Sequence, residues 1–422
     1  MVSRVVKMNR TRSGSGDLIS YYSENKDNAL ITAASSTDLL KLEIEKPITR
    51  PRYRFCWLNE DETVREILPD EDIVLGGSYQ ENYQNGQRRS ISITLFNETG
   101  KYTPSINSIW KGTKFSFDMG LELENDYVIW FPKGIYVVTG TNVSHSLGTK
   151  TVDIDLSDKF CIFEGNSGTL ETTFTAAPGA LIEEVIQNIL WTQKGDGTML
   201  DPKPFIYDSS FKGQTVQATI TQQAGSTYSD LLMSLATMLS AEIFYDVEGH
   251  LNFIPINYVT NDVDKPIIYH FYEEKGDFGN NDLSFDFDGI VNRVIVIGSN
   301  VNSEICDATA VNDDPASPLC YQRIGYHTAS PINDNAITST RLAQERADYE
   351  LRKKLILKST ISNEVRYNPL LLVNNIVTVT DEYYGFDQEQ FLIQSISCSL
   401  DYSGTMSLSS SNARNLPFVV GG

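Results

Sequence analysis

Nowhere in this chain do about 18 apolar residues stand in a row, so no helix of it is expected to cross a membrane. Histidine is scarce: His145, His250, His270 and His327 stand singly, none at the i,i+3 or i,i+4 spacing of a metal-binding helix. P-loop, zinc-protease and nucleophile-elbow patterns are absent. Basic residues are outnumbered 34 to 55 by acidic ones, a net charge of −21. That balance excludes a general duplex binder, whose affinity rests on neutralising phosphates. It permits a wall that DNA passes without sticking. The five cysteines (Cys56, Cys161, Cys306, Cys320, Cys398) are odd in number and far apart, which reads as free thiols made in a reducing cytoplasm. Cys306 and Cys320, which bracket a polar loop, are the pair that would bridge on later exposure. The basic start "MVSRVVKMNRTRSGSGD" is followed by no apolar h-region, so no secretory leader is expected.

What the chain has in supply is Tyr (21) and Phe (19), the residues of β-rich proteins. Its 422 residues leave room for roughly two to four domains. Residues 1–48 read as an arm whose patches Leu30–Ile31 and Leu39–Ile44 dock on something. From about 50 the strand signal is strong. In "SISITLF" (90–96) Ile91, Ile93 and Leu95 share one face, and the preceding Asn85–Gly86 is a hairpin turn signal. Segments 113–123, 126–144 and 149–158 continue the pattern, giving a first β domain over 49–165. The texture then turns helical at 175–193 and 226–243, with Ser226 or Thr227 as cap of the second helix. A hairpin turning at Asp246–Gly249 completes an α+β middle domain, 166–285. A second β domain, 286–415, is interrupted by a helix at 338–357 whose polar face carries i,i+4 charge pairs.

Two aspartate clusters are the nearest approach to chemistry, since paired carboxylates suffice for a glycosidase. In "DIDLSD" (153–158) Asp153 and Asp155 share one strand face while Ile154 and Leu156 share the other. "DLSFDFDG" (282–289) carries Asp286 and Asp288, with the spacing of a fragmentary calcium loop but no distal Glu. Period-2 alternation accounts for both as solvated or channel-facing strands. The aromatic stretch "YVIWF" (127–131) suits core or subunit contact better than stacking on sugars. No catalytic residues, no metal ligands and no cofactor are therefore expected.

"DGIVNRVIVIGS" (288–299) raises a separate question. After Arg293 it is apolar at both odd and even positions, whereas a half-buried strand alternates. Both faces must be covered, one by the protein's own core and the other by a helix of this chain, a substrate pocket or another protein.

The order of segments resembles that of phage tail hub proteins. The stretch 85–122 with "WFPKGIYVV" (130–138) resembles their first barrel, and "YSDLLMSLATMLSAEIFYDVEGHLNFIP" their middle domain. "VNRVIVIGS", "NDDPASPLCYQRIG" (312–325), the 338–357 helix, "NPLLLVNNIVTVTD" and "FLIQSISCSLDYSGTMSLSSS" resemble the second barrel. The resemblance covers about residues 50–415. It implies a mainly β fold with two tube-like β-barrel or sandwich domains, each associated with a helix, plus the small α+β domain. It further implies a non-enzymatic, trimeric, pseudo-sixfold baseplate ring, made in the host cytoplasm and resident in the virion. The implied partners are other copies of itself, the hexameric tail tube or distal tail protein above and the trimeric central spike below. The tape-measure carboxy terminus and baseplate wedge proteins are further implied partners. DNA would pass through the lumen without specific binding, and no membrane would be touched.

On that reading Arg293, Val294 and Val296 are candidates for subunit contact, with Arg293 paired to a carboxylate across the seam. An internal pair, covered by the chain's own helix, is the competing account. Leu416 and Phe418 in the final "NLPFVVGG" would dock on a neighbour or cap the second barrel. Asp153, Asp155, Asp286 and Asp288 are candidates to face the lumen and repel phosphate, and a merely solubilising charge excess is the alternative. No peptidase or lysozyme domain is expected. Two other functions fit the same residues: a distal tail ring protein, and a carbohydrate-binding or wall-degrading β protein using "YVIWF" and the aspartates.

Overall fold

The computed structural model describes residues 9–12, 18–24, 44, 46 and 49–412, except 106–107, 124–127, 147, 196, 217–218, 240, 256–266, 286, 288, 302–303, 316, 334–339 and 355–358. Two short strands open the chain, β1 (Asn9–Arg12) and β2 (Leu18–Glu24). A run of seven follows: β3 (Pro51–Leu58), β4 (Val64–Ile67), β5 (Ile73–Asn82), β6 (Arg89–Phe96), β7 (Lys114–Glu122), β8 (Val128–Ser146) and β9 (Thr149–Asp158). The arm meets this group by placing Tyr22 opposite Trp130 on β8, and Ile44 is buried in the main core. The Asn85–Gly86 turn is where the sequence places it. Gly86 takes φ 86°, a left-handed value open to glycine, and its N–H donates to the Ile243 carbonyl at 2.8 Å.

The middle segment contains β10 (Phe174–Ala176), α1 (Ile182–Leu190), β11 (Ile206–Tyr207), β12 (Ile220–Gln222), α2 (Tyr228–Leu239), β13 (Ala241–Tyr245) and β14 (Leu251–Pro255). Thr227 caps α2 reciprocally: its hydroxyl accepts from the Asp230 N–H at 3.1 Å, and the Asp230 carboxylate accepts from the Thr227 N–H at 3.2 Å. Val185, Ile186 and Ile189 of α1 and Leu231, Leu232 and Leu235 of α2 pack with Ile243 and Phe253 into a separate core.

The carboxy-terminal part holds β15 (Ile267–Tyr272), β16 (Phe278–Phe285), β17 (Arg293–Val301), β18 (Glu304–Val311), β19 (Ile332–Asn333), α3 (Thr340–Lys354), β20 (Ser359–Arg366), β21 (Ile376–Asp381), β22 (Phe386–Leu400) and β23 (Thr405–Asn412). A large sheet runs β16-β20-β23-β22-β5-β6-β9-β8-β7-β3-β4, with β15 joined through β21 to β22. The sequence grouped residues 267–285 with the middle segment; β15 and β16 hydrogen-bond to β21 and β20.

The pairing contains an internal repeat. β5 pairs β6, β6 pairs β9, β9 pairs β8 and β8 pairs β7. In the same chain order β16 pairs β20, β20 pairs β23, β23 pairs β22 and β22 pairs β21. The long strands β8 and β22 correspond, each bulged in its ladder, after Val138 and after Ile393 respectively. The two repeats join where β22 pairs β5, and one core cluster runs beneath both.

β17 departs from the expectation. It is no strand of the large sheet but lies with β18 and β19 in a three-stranded sheet inserted between β16 and β20. In the first repeat that place is taken by the Asn85–Gly86 turn. Val294 and Val296 are fully buried against Ala343, Ala347 and Leu351 of α3, so the chain's own helix covers that face. Small alanines let the helix sit close on the β-branched strand.

Candidate functional site

Alternation makes one face of the large sheet the core and the other a solvent-facing surface. Tyr79, Ile91, Ile93, Ile154, Leu156, Ile361, Ile396 and Leu408 point inward. The residues between them form rows across eight strands, from β16 to β8. One row is Gly140, Asp155, Ser92, Ser78 and Ser399. The next is Ser157, Ser90, Gln80, Ser397, Ser407 and Glu364. A third is Asn82, Ser395, Ser409, Ser362 and Asp282. None of these is Lys, Arg or His, although the chain has 34 lysines and arginines to place. The row crosses the junction between the repeats without a break.

Asp153 and Asp155 stand on this face together. The Asp155 carboxylate accepts from the Ser92 hydroxyl at 3.0 Å, and Asp153 accepts from the Thr94 hydroxyl at 2.7 Å and the Asn142 amide at 3.3 Å. They are negative and hydrogen-bonded to uncharged neighbours along the strand ladder. Asp286, Asp288, Leu416 and Phe418 lie outside the described residues.

A network of buried charges lies elsewhere, at the joint between the first strands and the middle segment. Arg89 donates through Nε to Glu81 at 2.7 Å and through Nη1 to the Tyr245 carbonyl at 2.9 Å. Arg88 pairs with Glu242 at 2.9 Å. Lys159 lies 2.6 Å from Glu62 and 2.9 Å from Asp201, which also accepts from the Tyr245 hydroxyl at 2.7 Å. Burial alone would raise Glu62, but Lys159, Lys203 and Lys114 hold its carboxyl down at about 2. Asp158 accepts the backbone N–H groups of Arg88, Arg89 and Phe160; burial nonetheless leaves its pKa raised. On the far side Lys133 donates to the Leu371 carbonyl at 2.8 Å, and burial draws its pKa down to about 8 against the pull of Glu81. Sequence reading missed this network; the charge pairs are far apart in the chain and carry no local pattern.

Beside the joint lies a cleft of about 890 Å³, lined by Trp57, Trp110, Lys114, Lys159, Cys161 and Met199 among others. Burial pushes the Cys161 thiol up to about 12, so it stays protonated at neutral pH and is a poor nucleophile. All five cysteines are free thiols.

Val294 and Val296, candidates for subunit contact, are unavailable for it because α3 covers them. Arg293 lies over the Tyr326 ring at 5.0 Å, and Tyr326 stacks on Tyr321 at 4.9 Å, so Arg293 is held by its own chain. Asn292 closes the same loop, donating to the Leu319 and Gly325 carbonyls and accepting from the His327 N–H. Within the chain the aromatic stack is the contact of the Arg293 guanidinium.

No protein-family model and no curated protein matches the chain. Solved structures do. A 43 kDa tail protein of prophage MuSo2 from Shewanella oneidensis superposes with a TM-score of 0.52 over 85% of this chain and 97% of that one, at 14% identity. A tail protein from Neisseria meningitidis MC58 gives 0.55 over 85% and 96%, at 11% identity. The fold is that of phage tail proteins. The PdpA–VgrG complex of Francisella shares it, with a TM-score of 0.54 over 88% of this chain and 54% of that one, at 12% identity. Fold and sequence patterning therefore agree on a mainly β tail-type chain with few helices.

Proposed function

We propose that this chain is a structural, non-enzymatic ring protein of a phage-type tail, the central baseplate hub, in which three copies enclose the channel through which DNA leaves. The observation that carries the reading is the polar sheet face. The rows across these eight strands hold serine, threonine, asparagine, glutamine and carboxylate side chains, and Arg366, on the same side of β20 as Ser362 and Glu364, is neutralised by its pair with Asp277. Such a wall offers phosphate nothing to bind, and Asp153 and Asp155 repel it.

The internal repeat supports the symmetry. Each chain supplies two similar four-stranded portions of wall, so three chains present six, matching a sixfold tube on one side and a threefold spike on the other. Barrels of 16 to 18 strands already leave an aqueous channel, so a wall of about 24 leaves a wide one. The tube or distal tail protein, the spike, the tape-measure carboxy terminus and the wedge proteins are the partners this placement implies. The hairpin-built α+β segment and the α3 insertion, both outside the wall, are surfaces for such neighbours.

Mass photometry of the purified chain across concentration tests the reading. A species of three times 47.2 kDa is expected. A stable hexamer would contradict it and move the chain to a sixfold ring of the tail end.

A further inference from the structure

We infer that neighbouring copies are joined by a specific antiparallel strand pair, the outer half of β8 on one copy against β16 on the next. This rests on the ring reading and gives it a register. The internal repeat supplies the template for the joint. Within the chain the repeats are joined by β22 and β5, with Ser397 opposite Gln80, Cys398 opposite Tyr79 and Ser399 opposite Ser78. The strands corresponding to β22 and β5 in the other repeats are β8 and β16. Both stand at the two ends of the polar-faced sheet. Among the described residues β16 pairs only with β20, and the stretch of β8 beyond the bulge pairs only with β9.

The register follows from matched ladder positions. The bulges align Thr139 with Gln394, so Asn142, Val143 and Ser144 correspond to Ser397, Cys398 and Ser399. Ser92 and Ser362 occupy the same place opposite Asp155 and Ser409, so their partners Ser78 and Asp282 correspond. Carrying the internal junction over places Asn142 opposite Ser284, Val143 opposite Leu283 and Ser144 opposite Asp282 of the next copy.

Exposure agrees with that transfer. Tyr79 and Cys398, which meet at the internal junction, are 0% and 2% exposed. Val143, at the place of Cys398, is 48% exposed, and Phe285 on the core side of β16 is 45% exposed. These are apolar side chains on free strand edges, which proteins otherwise blunt with charge or proline. The contact is heterologous, using two different edges of each copy, so it propagates round a ring and closes. It leaves the polar face continuous from copy to copy.

The test is cysteine cross-linking in the full chain. Directly opposed residues on antiparallel strands lie within bridging distance, whereas positions two residues off lie at about 7–8 Å, beyond it. The S144C/D282C double variant under mild oxidation is expected to give a ladder of covalent dimer and trimer that reductant collapses. A mixture of the S144C and D282C single variants is expected to stop at dimer. S144C alone and the off-register N142C/D282C variant are expected to lack the ladder. Mass photometry on the same samples separates the two levels of the account. Trimers without the S144C/D282C ladder, or with an equal ladder from the off-register pair, overturn this joint and leave the ring reading standing. Monomers with no cross-link at any concentration overturn both.

Discussion

Ser92 donates its hydroxyl to the Asp155 carboxylate at 3.0 Å, across adjacent strands and on the solvent side of the sheet. The pair is small and acidic and has no basic partner, like the rows of serine, asparagine and glutamine beside it. Replacing both aspartates of this face with lysine, D153K/D155K, tests what the charge does. Asp155 is exposed and Asp153 half-buried, and the hydrogen bonds they lose are worth about 1 kcal/mol each, so the fold should survive with a modest drop in thermal stability. Duplex DNA should be retained by the variant at low salt and released steeply as salt rises, while the parent chain retains none. A folded variant that binds no more DNA than the parent would show that this face does not govern DNA passage.

Glu81 and Arg89 sit at the opposite extreme, fully buried and 2.7 Å apart. Removing one partner of a buried ion pair leaves the other charge stranded, a loss of about 3–5 kcal/mol. Arg89→Met and Glu81→Gln should each show it in urea unfolding. The double replacement should cost less than the sum of the two, because no charge is then stranded. Strict additivity would mean the two groups do not act as a pair.

The joint at Lys159 gives a pH dependence of known sign. The Glu62 pKa is held at about 2, below its ordinary 4.5, because three lysines favour the charged form over the burial that opposes it. Its contribution is fully present above about 4.5 and is lost as pH falls toward 2. Acid should therefore loosen the middle segment from the first strands, read by tryptophan fluorescence near Trp57 and Trp110 or by proteolysis. In Glu62→Gln that step should shrink and overall stability at neutral pH should fall. An unchanged acid transition would remove Glu62 from the explanation.

The α3 insertion should behave as a local unit. Ala347 is fully buried against β17, so Ala347→Leu overpacks the contact and should cost about 1–3 kcal/mol there. Hydrogen exchange should rise in β17, β18 and α3 while the large sheet keeps its protection. Arg293→Ala, which unstacks Tyr326, should leave oligomeric state untouched. A shift from trimer to monomer in Arg293→Ala would return that residue to the subunit seam.

Strands with clean alternation were legible in the sequence: β6, β7, β9, β21 and β23 fall where apolar residues recur every second position. The helices were legible from their apolar stripes and from Thr227 as cap. β17 was legible as a strand, but its place was not. A run such as "RVIVIG" states only that both faces are covered, and Val294 and Val296 owe their cover to Ala343 and Ala347, about 50 residues on. Asp153 and Asp155 could be put on one strand face by period alone. That Ser78, Ser92, Ser397 and Ser407 complete the same face depends on pairing between distant strands, which alternation does not encode. The repeat entered through the resemblance to tail hub proteins and not through alternation: β5–β9 and β16–β23 share a pairing order, with the second copy split by the insertion.

The most direct measurement is a cryo-EM map of tail tips assembled with this chain, read for symmetry and for which sheet face lines the channel. The account predicts a threefold ring with six similar wall portions and with Ser92, Asp155, Ser397 and Ser407 turned toward the lumen. A ring of another symmetry, or one whose channel is lined by a different surface while this face is packed against neighbours, would contradict it.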